Sequence, residues 1–181
     1  MKSITGVEPV PLTLDRAIQE RNFERLLAAN GPALSRLAAS YTRTLSDRDD
    51  LVQEIAVSIW KALPGFRGEC SERTFLFRIA HNRAIAHLSR SRERAADSTK
   101  EVDVPDPAPN PELELSQRQR AVRLRHAIYR LPVAYRQVMT LTLEGLGYKE
   151  ISEVLGISEA NVGVRLSRSR QLLHDLLEKR K

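Results

Sequence analysis

The sequence predicts an all-helical protein built from two small domains that an extended acidic linker joins. Leu, Ala, Arg and Glu dominate the 181 residues, and long β-branched runs and alternating apolar patterns are missing. Apolar residues make up 41% of the chain, which is enough for helical cores. One proline-rich segment near the middle interrupts the helical periodicity that precedes and follows it.

That segment, residues 95–115, predicts the linker. It reads AADSTKEVDVPDPAPNPELEL, with four prolines and with six acidic residues against Lys100. We therefore place a first domain at 1–94, the linker at 95–115 and a second domain at 116–181. Fully extended, about 21 residues reach roughly 70 Å.

The charge balance points to a polyanionic partner. The net charge is +6, and because the linker alone carries −5, the flanking blocks together carry +11. Such a balance favours nucleic acid or an acidic membrane surface, although a merely soluble basic protein remains the alternative. No signal peptide or membrane-length apolar run is evident, so we expect a cytoplasmic protein without membrane insertion.

Few residues favour catalysis or metal binding. Cys70 is the only cysteine, and the four histidines have no ligand spacing with it, so we expect neither a metal nor a cofactor. Asp47, Asp49 and Asp50 cluster, but they lie at a predicted helix start, where acidic residues favour the helix dipole. We expect no catalytic residues.

The first domain is predicted to consist of helices only. Residues 22–42 predict two helices that meet near Asn30-Gly31-Pro32. Ser46 is the predicted N-cap of the next helix, which ends at Pro64-Gly65. A long basic helix is predicted from Glu72 to Arg94, with a buried face at Phe75, Leu76, Ile79, Ala80 and Leu88.

The second domain is predicted to end in a helix-turn-helix. A basic helix begins at Ser116, another follows Pro132, and a pair spans Tyr148 to Lys179. Gly156 permits the turn and Ser158 can cap the last helix, whose apolar stripe is Val162, Leu166, Ser169, Leu173 and Leu176. In this motif the start of the last helix enters the major groove. Two ordinary core helices joined by a glycine turn are the alternative.

The last helix, which would enter the DNA groove, has few long polar side chains near its start. It begins SEANVGVRLSRSR, residues 158–170, with arginines that we expect to contact phosphates. Gly163 and Val164 would let the helix axis approach the groove closely, leaving base contacts to Ser158, Glu159 and Asn161. The alternative is that Gly163 has no role in binding and only destabilises the helix, since an interior glycine costs a helix about 1 kcal/mol relative to alanine.

The basic helix of the first domain has features of single-strand binding. Five arginines lie between positions 78 and 94, and Phe66, Phe75 and Phe77 are close in sequence. Backbone charge together with aromatic stacking is the usual means of holding unpaired bases. The alternative for Phe75 and Phe77 is a place in the core, and we expect at least one of them there.

Three motifs in order carry a family resemblance. Asp50-Leu51-Val52-Gln53-Glu54 and the segment Phe75 to Asn82 resemble sigma region 2, and Leu131-Pro132 with Arg136, Glu150-Ile151 and Asn161 to Arg170 resemble region 4. The chain thus resembles an extracytoplasmic-function (ECF, group 4) sigma factor of the sigma-70 family of bacterial RNA polymerase. It departs from the family at Phe75, Ala86 and Gly163, where tryptophan, aspartate and a basic residue are common.

The resemblance implies a transcription initiation factor without enzyme activity, which binds core RNA polymerase and directs it to specific promoters. The implied contacts to the polymerase clamp helices are Asp50, Leu51, Gln53 and Glu54. The implied contacts to the melted, single-stranded −10 element are Phe66, Arg67, Arg78, Asn82, Arg83 and Arg90. The implied contacts to the duplex −35 element are Ser158, Glu159, Asn161, Gly163, Val164, Arg165, Ser167 and Arg168.

The resemblance also implies further partners. The second domain would contact the polymerase flap, and an anti-sigma factor would hold the chain inactive. A stand-alone helix-turn-helix regulator, which would bind duplex promoter DNA without polymerase, is the alternative function.

Overall fold

A computed structural model describes residues 12–97 and 112–178, with side chains described for 16–91 and 119–178, and both ranges consist of helices joined by short turns and loops. The elements are α1 (Leu12–Ala39), α2 (Leu45–Ala62), a 3₁₀ turn (Leu63–Gly65), α3 (Glu72–Asp97), α4 (Glu112–Arg130), α5 (Val133–Leu143), α6 (Tyr148–Leu155) and α7 (Glu159–Glu178). No strand occurs within these ranges. The predicted fold class is confirmed.

The first helix is continuous, and the prediction of two helices meeting near Pro32 is wrong. Pro32 lies inside α1, and the side-chain amide of Asn30 donates to the carbonyl oxygen of Leu26 at 3.0 Å. Leu26 and Leu34 are both buried on the two sides of this point. Because packing on both sides keeps one face of the helix in the core, it outweighs the backbone hydrogen bond that proline cannot make.

The N-cap of α2 is Thr44 and not Ser46. The Oγ1 atom of Thr44 accepts a hydrogen bond from the backbone N–H of Asp47 at 3.0 Å, and its backbone is extended, as N-caps require. Leu51, Ile55 and Ile59 are the buried face of the helix. These three residues lie four apart, so they share one face of the helix.

Helix α3 buries more than the sequence indicated. Its fully or nearly fully buried side chains are Thr74, Leu76, Phe77, Ala80, His81, Ala84, His87 and Leu88. The predicted linker overlaps helices at both ends, because α3 continues to Asp97 and α4 begins at Glu112. The rest of the predicted linker, residues 98–111, lies outside the described residues.

The second domain has the predicted helix-turn-helix. Pro132 precedes α5, Gly156 ends α6 with a left-handed backbone at φ +66°, and Ile151, Val154, Val162 and Leu166 are buried between α6 and α7. The Oγ atom of Ser158 accepts from the N–H of Asn161 at 3.3 Å, so the predicted cap of α7 is confirmed. Leu173 and Leu176 are partly buried against the same core.

The two domains pack against each other. Helix α3 of the first domain contacts α6 of the second, and the buried side chains of both domains form one continuous cluster. Within the described ranges, no helix is both long enough and apolar enough to cross a membrane.

Replacement of Thr44 by alanine tests the corrected helix start. We expect the free energy of unfolding, measured by urea titration with circular dichroism, to fall by about 1 kcal/mol, because the N–H of Asp47 loses its acceptor. The matched control is Ser46→Ala on the exposed first turn, which should change it by less than about 0.5 kcal/mol. A larger loss for Ser46→Ala than for Thr44→Ala would contradict the assigned cap.

Candidate nucleic-acid and polymerase interfaces

One exposed face of α3 presents three of the residues predicted for the −10 element. Arg78, Asn82 and Arg83 are exposed, whereas Phe77, Ala80 and Ala84 lie in the core. Residues four apart share a helix face, so Arg78 and Asn82 lie one turn apart on the same side. The arrangement offers a cationic side chain next to an amide that can pair with a base edge.

Phe66 of the loop before α3 and Phe75 of α3 itself add an aromatic pair to this region. Phe66 and Phe75 are half-buried, and their rings stack with centroids 4.5 Å apart at an angle of 31°. Arg67 beside them is exposed. Phe77 is completely buried, with the guanidinium of Arg73 5.4 Å from its ring centroid. Phe77 therefore belongs to the core, as we expected for at least one of these rings.

Helix α2 presents the predicted polymerase-binding residues with one exception. Asp50 and Gln53 are exposed and Glu54 is half-buried, but Leu51 is completely buried. Leu51 therefore cannot offer its side chain to a partner, and its assignment as a polymerase contact is corrected: it anchors α2 in the core.

An ion pair connects the predicted polymerase contacts with the predicted −10 contacts. Nη2 of Arg90 donates to both carboxylate oxygens of Glu54, at 2.8 and 2.6 Å. The pair borders an open groove between α2 and α3 that Asp50, Gln53 and Arg83 also line. About two fifths of each paired side chain is exposed, so the ion pair contributes little to stability. Either side chain can therefore leave the pair and contact a binding partner instead.

The exposed face of α7 presents most of the residues predicted for the −35 element. Exposed are Ser158, Glu159, Asn161, Val164, Ser167 and Arg168, and Arg165 is half-buried at the flank. Val164 has 51% of its surface exposed, so its side chain is accessible to a partner. The acidic Glu159 lies in the first turn, where it favours the helix dipole.

Gly163 faces the first helix of the motif. A Cβ atom built at Gly163 would lie 3.5 Å from Cε2 of Tyr148, an ordinary van der Waals distance. Tyr148 is itself 46% exposed. A methyl group would therefore pack on the tyrosine ring, whereas a long side chain would compete with that ring for its place.

A polar surface between the domains was not found by sequence reasoning. Both carboxylate oxygens of Glu144 accept from Arg36, Nε at 3.0 Å and Nη2 at 2.7 Å, and Arg73 donates to the Glu144 main-chain oxygen. Only 6% of the Glu144 side chain is exposed. The hydrogen bonds to Glu144 raise the pKa of Arg36. No periodicity or motif pairs residues that are so far apart in the sequence, so the sequence did not predict these contacts.

Aromatic and imidazole rings lie beside this polar surface. The Arg136 guanidinium lies 4.6 Å from the ring centroid of Tyr129 and 5.7 Å from that of Tyr41. The amide of Gln137 donates to Nε2 of His81 at 3.3 Å. Burial lowers the pKa of His81 to about 4 and raises that of Tyr41. Both rings are therefore neutral near pH 7.

Comparisons with known proteins identify the family to which the chain belongs. The family model for sigma-70 region 2 matches residues 26–94, and the one for sigma-70 region 4 matches residues 121–173. Together they cover more than half of the chain. No group of three or more His, Cys, Asp or Glu side chains suited to a metal occurs among the described residues. The chain belongs to the sigma-70 family, and it is an ECF-type sigma factor, a transcription initiation factor.

Relatives match nearly the whole chain. RNA polymerase sigma factor NccH of Alcaligenes xylosoxydans xylosoxydans is 32% identical over 162 residues, 86% of this chain and 87% of the relative. ECF RNA polymerase sigma factor SigM of Mycobacterium tuberculosis is 30% identical over 156 residues, 86% of this chain and 76% of that one. The solved structure of CnrH in complex with the cytosolic domain of CnrY is 31% identical, with TM-score 0.66, over 90% of this chain and 91% of that chain.

Acid should weaken the fold through His81. The pKa of the His81 ring is about 6.5 in the unfolded chain and about 4 in the folded chain. Above pH 6.5 the ring is neutral in both states. Between pH 6.5 and pH 4 the ring binds a proton in the unfolded chain but not in the folded chain, which favours unfolding. Stability is therefore full above pH 6.5 and is lost as the pH falls towards 4, by about 2 kcal/mol at pH 5. Urea titrations at pH 7 and pH 5 measure this difference in the free energy of unfolding.

The charged and titratable groups facing His81 do not change this sign. Tyr41 stays neutral and the Arg136 guanidinium near it disfavours a second cation. The His81→Gln variant should lose most of the difference between pH 7 and pH 5, and His174→Gln, at a side chain that is 69% exposed, should keep it. Equal pH dependence in both variants would contradict the assignment.

The Gly163→Ala variant tests whether α7 needs a glycine at position 163. We expect the free energy of unfolding to rise by up to about 1 kcal/mol and transcription from a promoter that needs its −35 element to be retained, because the methyl group packs on Tyr148. Urea titration and run-off transcription measure the two. Loss of −35-dependent transcription in a stabilised variant would instead support close approach of the helix axis to DNA.

Proposed function

We propose that this sigma factor binds core RNA polymerase through α2 and reads two promoter elements with two different helices. Asp50, Gln53 and Glu54 bind the clamp helices of the polymerase. The second domain contacts the polymerase flap. Holding the chain on the polymerase brings both DNA-reading faces to the promoter together, which neither domain achieves alone.

The face of α3 with the preceding loop binds the single-stranded −10 element in this proposal. The observation that carries it is the exposed row of Arg78, Asn82 and Arg83 beside the Phe66–Phe75 stack. Arginines neutralise the backbone, and the Asn82 amide pairs with an extruded base. Holding such a base offsets the few kcal/mol that unstacking costs. Arg67 and Arg90 lie at the two ends of this surface.

The exposed face of α7 binds the duplex −35 element. Ser158, Glu159 and Asn161 reach the base edges from the start of the helix, and Arg165 and Arg168 contact phosphates. Val164 lies where it can touch thymine methyl groups, and Ser167 supplements the polar contacts. Few long polar side chains point into the groove, so sequence-dependent DNA shape supplies part of the specificity.

An anti-sigma factor is the proposed regulator of the chain. Support comes from the similar structure of CnrH, which was solved with the cytosolic domain of CnrY. The proposal concerns the class of partner only. No reaction is catalysed by the chain itself, and the polymerase supplies the chemistry of RNA synthesis.

Run-off transcription with core polymerase and mapped start sites tests the proposal. Asp50→Asn should weaken binding to core polymerase, Asn82→Ala should reduce permanganate-detected strand opening with core binding intact, and Arg168→Ala should weaken protection of the −35 element. We expect a loss of about fivefold or more in transcript yield for each, since each removes roughly 1–3 kcal/mol of binding.

The matched control is Arg21→Ala, at an exposed arginine of α1 that has no proposed contact. This variant should transcribe like the unaltered chain. Duplex promoter binding by the chain without polymerase, with the same affinity as in its presence, would favour a stand-alone regulator and would overturn the proposal.

A further inference from the structure

The two sides of the exposed face of α7 differ in the side chains that they carry. Val164 lies in the middle of this face, and at about 100° per residue the residues to one side of it are Asn161, Arg165 and Arg168. Over the same two turns, the residues to the other side are Ala160, Gly163 and Ser167. One side therefore has arginines and an amide, and the other side has only small residues.

The side with the small residues has no positive charge where the helix would enter the groove. It begins at Glu159, whose charge repels phosphate, and its first basic residue is Arg170, about 10 Å beyond Gly163 along the helix axis. A helix in the major groove lies between two phosphate backbones. At its start, α7 itself thus has arginines for only one of the two walls of the groove.

The ring of Tyr148, the first residue of α6, lies on this second side of α7. A Cβ atom at position 163 would be 3.5 Å from Cε2 of Tyr148, and Cε2 is bonded to the carbon that carries the hydroxyl group. The hydroxyl end of the ring therefore lies beside Gly163. Tyr148 is 46% exposed, and within residues 16–91 and 119–178 its hydroxyl group forms no hydrogen bond. The group is free to bind a partner.

The start of α6 is fixed, so the ring cannot move away from α7. Ile151 and Val154 are buried against the core, and a carboxylate oxygen of Glu150 accepts from the N–H of Gly147 at 2.9 Å. A side chain longer than a methyl group at position 163 would therefore need the space that the ring of Tyr148 occupies. The missing side chain of Gly163 is the condition for the position of the ring.

The start of α6 also lies where this motif meets the DNA backbone. In a helix-turn-helix the second helix lies in the major groove, and the first helix crosses the phosphate backbone. Tyrosine hydroxyl groups are among the donors that bind phosphate oxygens. The next residue, Lys149, is exposed and adds a positive charge beside Tyr148. The surroundings of the hydroxyl group thus favour a phosphate over a base edge.

We propose that Tyr148 and Gly163 act as one unit, in which the glycine leaves the space and the tyrosine hydroxyl donates to a phosphate on the second wall of the −35 groove. Arg165 and Arg168 contact the first wall. The inference rests on the proposed function, because it adds a contact to the helix-turn-helix that reads this element. Contacts to both walls keep α7 from shifting sideways, so its few base-reading side chains keep their register.

The Tyr148→Phe variant tests the hydroxyl contact in the complex of the full chain with core polymerase. We expect the affinity for a promoter with a −35 element to fall by about twofold to tenfold, the range for one hydrogen bond. The loss should be the same for every single-base substitution in the element, because a phosphate contact names no sequence. The salt dependence should not change, because a neutral hydroxyl group neutralises no phosphate.

The matched control is Tyr135→Phe, which removes the same group from α5. The main-chain oxygen of Tyr135 accepts from the buried Ser169 at 3.1 Å, so this residue packs on the side of α7 that faces away from DNA. We expect its promoter affinity to equal that of the unaltered chain. Thermal melting should show that both variants remain folded.

Neutral methylphosphonate groups, placed one at a time along both strands of the −35 element, locate the phosphate. The unaltered chain should lose affinity at one phosphate of the second wall, and Tyr148→Phe should lose nothing more there. Gly163→Leu tests the unit, because the leucine side chain should displace the ring. Its loss of affinity should be similar, and adding Tyr148→Phe to it should cost little more.

Full affinity of Tyr148→Phe, or a loss confined to one base pair, would overturn the phosphate contact. Additive losses for Gly163→Leu and Tyr148→Phe would overturn the unit. If the unaltered chain with core polymerase is indifferent to the −35 sequence, the proposed function fails and the inference fails with it. That result differs from a complex that needs the −35 element and is indifferent to Tyr148→Phe, which overturns the inference alone.

Discussion

The buried carboxylate of Glu144 is the constraint on which the arrangement of the two domains depends. A charge in such a place must be paired, and its pair comes from Arg36, more than a hundred residues earlier and in the other domain. Arg73 fixes the backbone of the same residue. The end of α5 is thereby attached to both α1 and α3, and the neighbouring polar contacts follow from that attachment.

The rest of the surface is free for partners because this contact uses other faces of the helices. Helix α3 turns its start towards the second domain and keeps Arg78, Asn82 and Arg83 exposed. Helix α7 packs on α5 and α6 and keeps its outward face exposed. In the proposed function, the contact between the domains therefore leaves each reading face accessible.

Sequence patterns predicted what depends on neighbours along the chain. The helix-turn-helix, the turn at Gly156 and the cap at Ser158 followed from local spacing, and so did the exposure of the α7 face. Two errors came from tertiary packing: α1 continues through Pro32, and Leu51 is buried where its motif indicated a contact. A further error was local, because Thr44 and Ser46 are both good N-cap residues and the spacing did not distinguish them. The contact between Arg36 and Glu144 depends on distant residues, and no periodicity encodes it.

The distance between the domains, with and without the pair of Arg36 and Glu144, tests the central claim most directly. A spin label on Cys70 in the first domain and another on a cysteine replacing the exposed Gln119 of α4 would report it by double electron–electron resonance. The account predicts one short, narrow distance in the unaltered chain and a broader distribution that extends to longer distances in Arg36→Glu, where two carboxylates meet. The same distribution in both chains would contradict it.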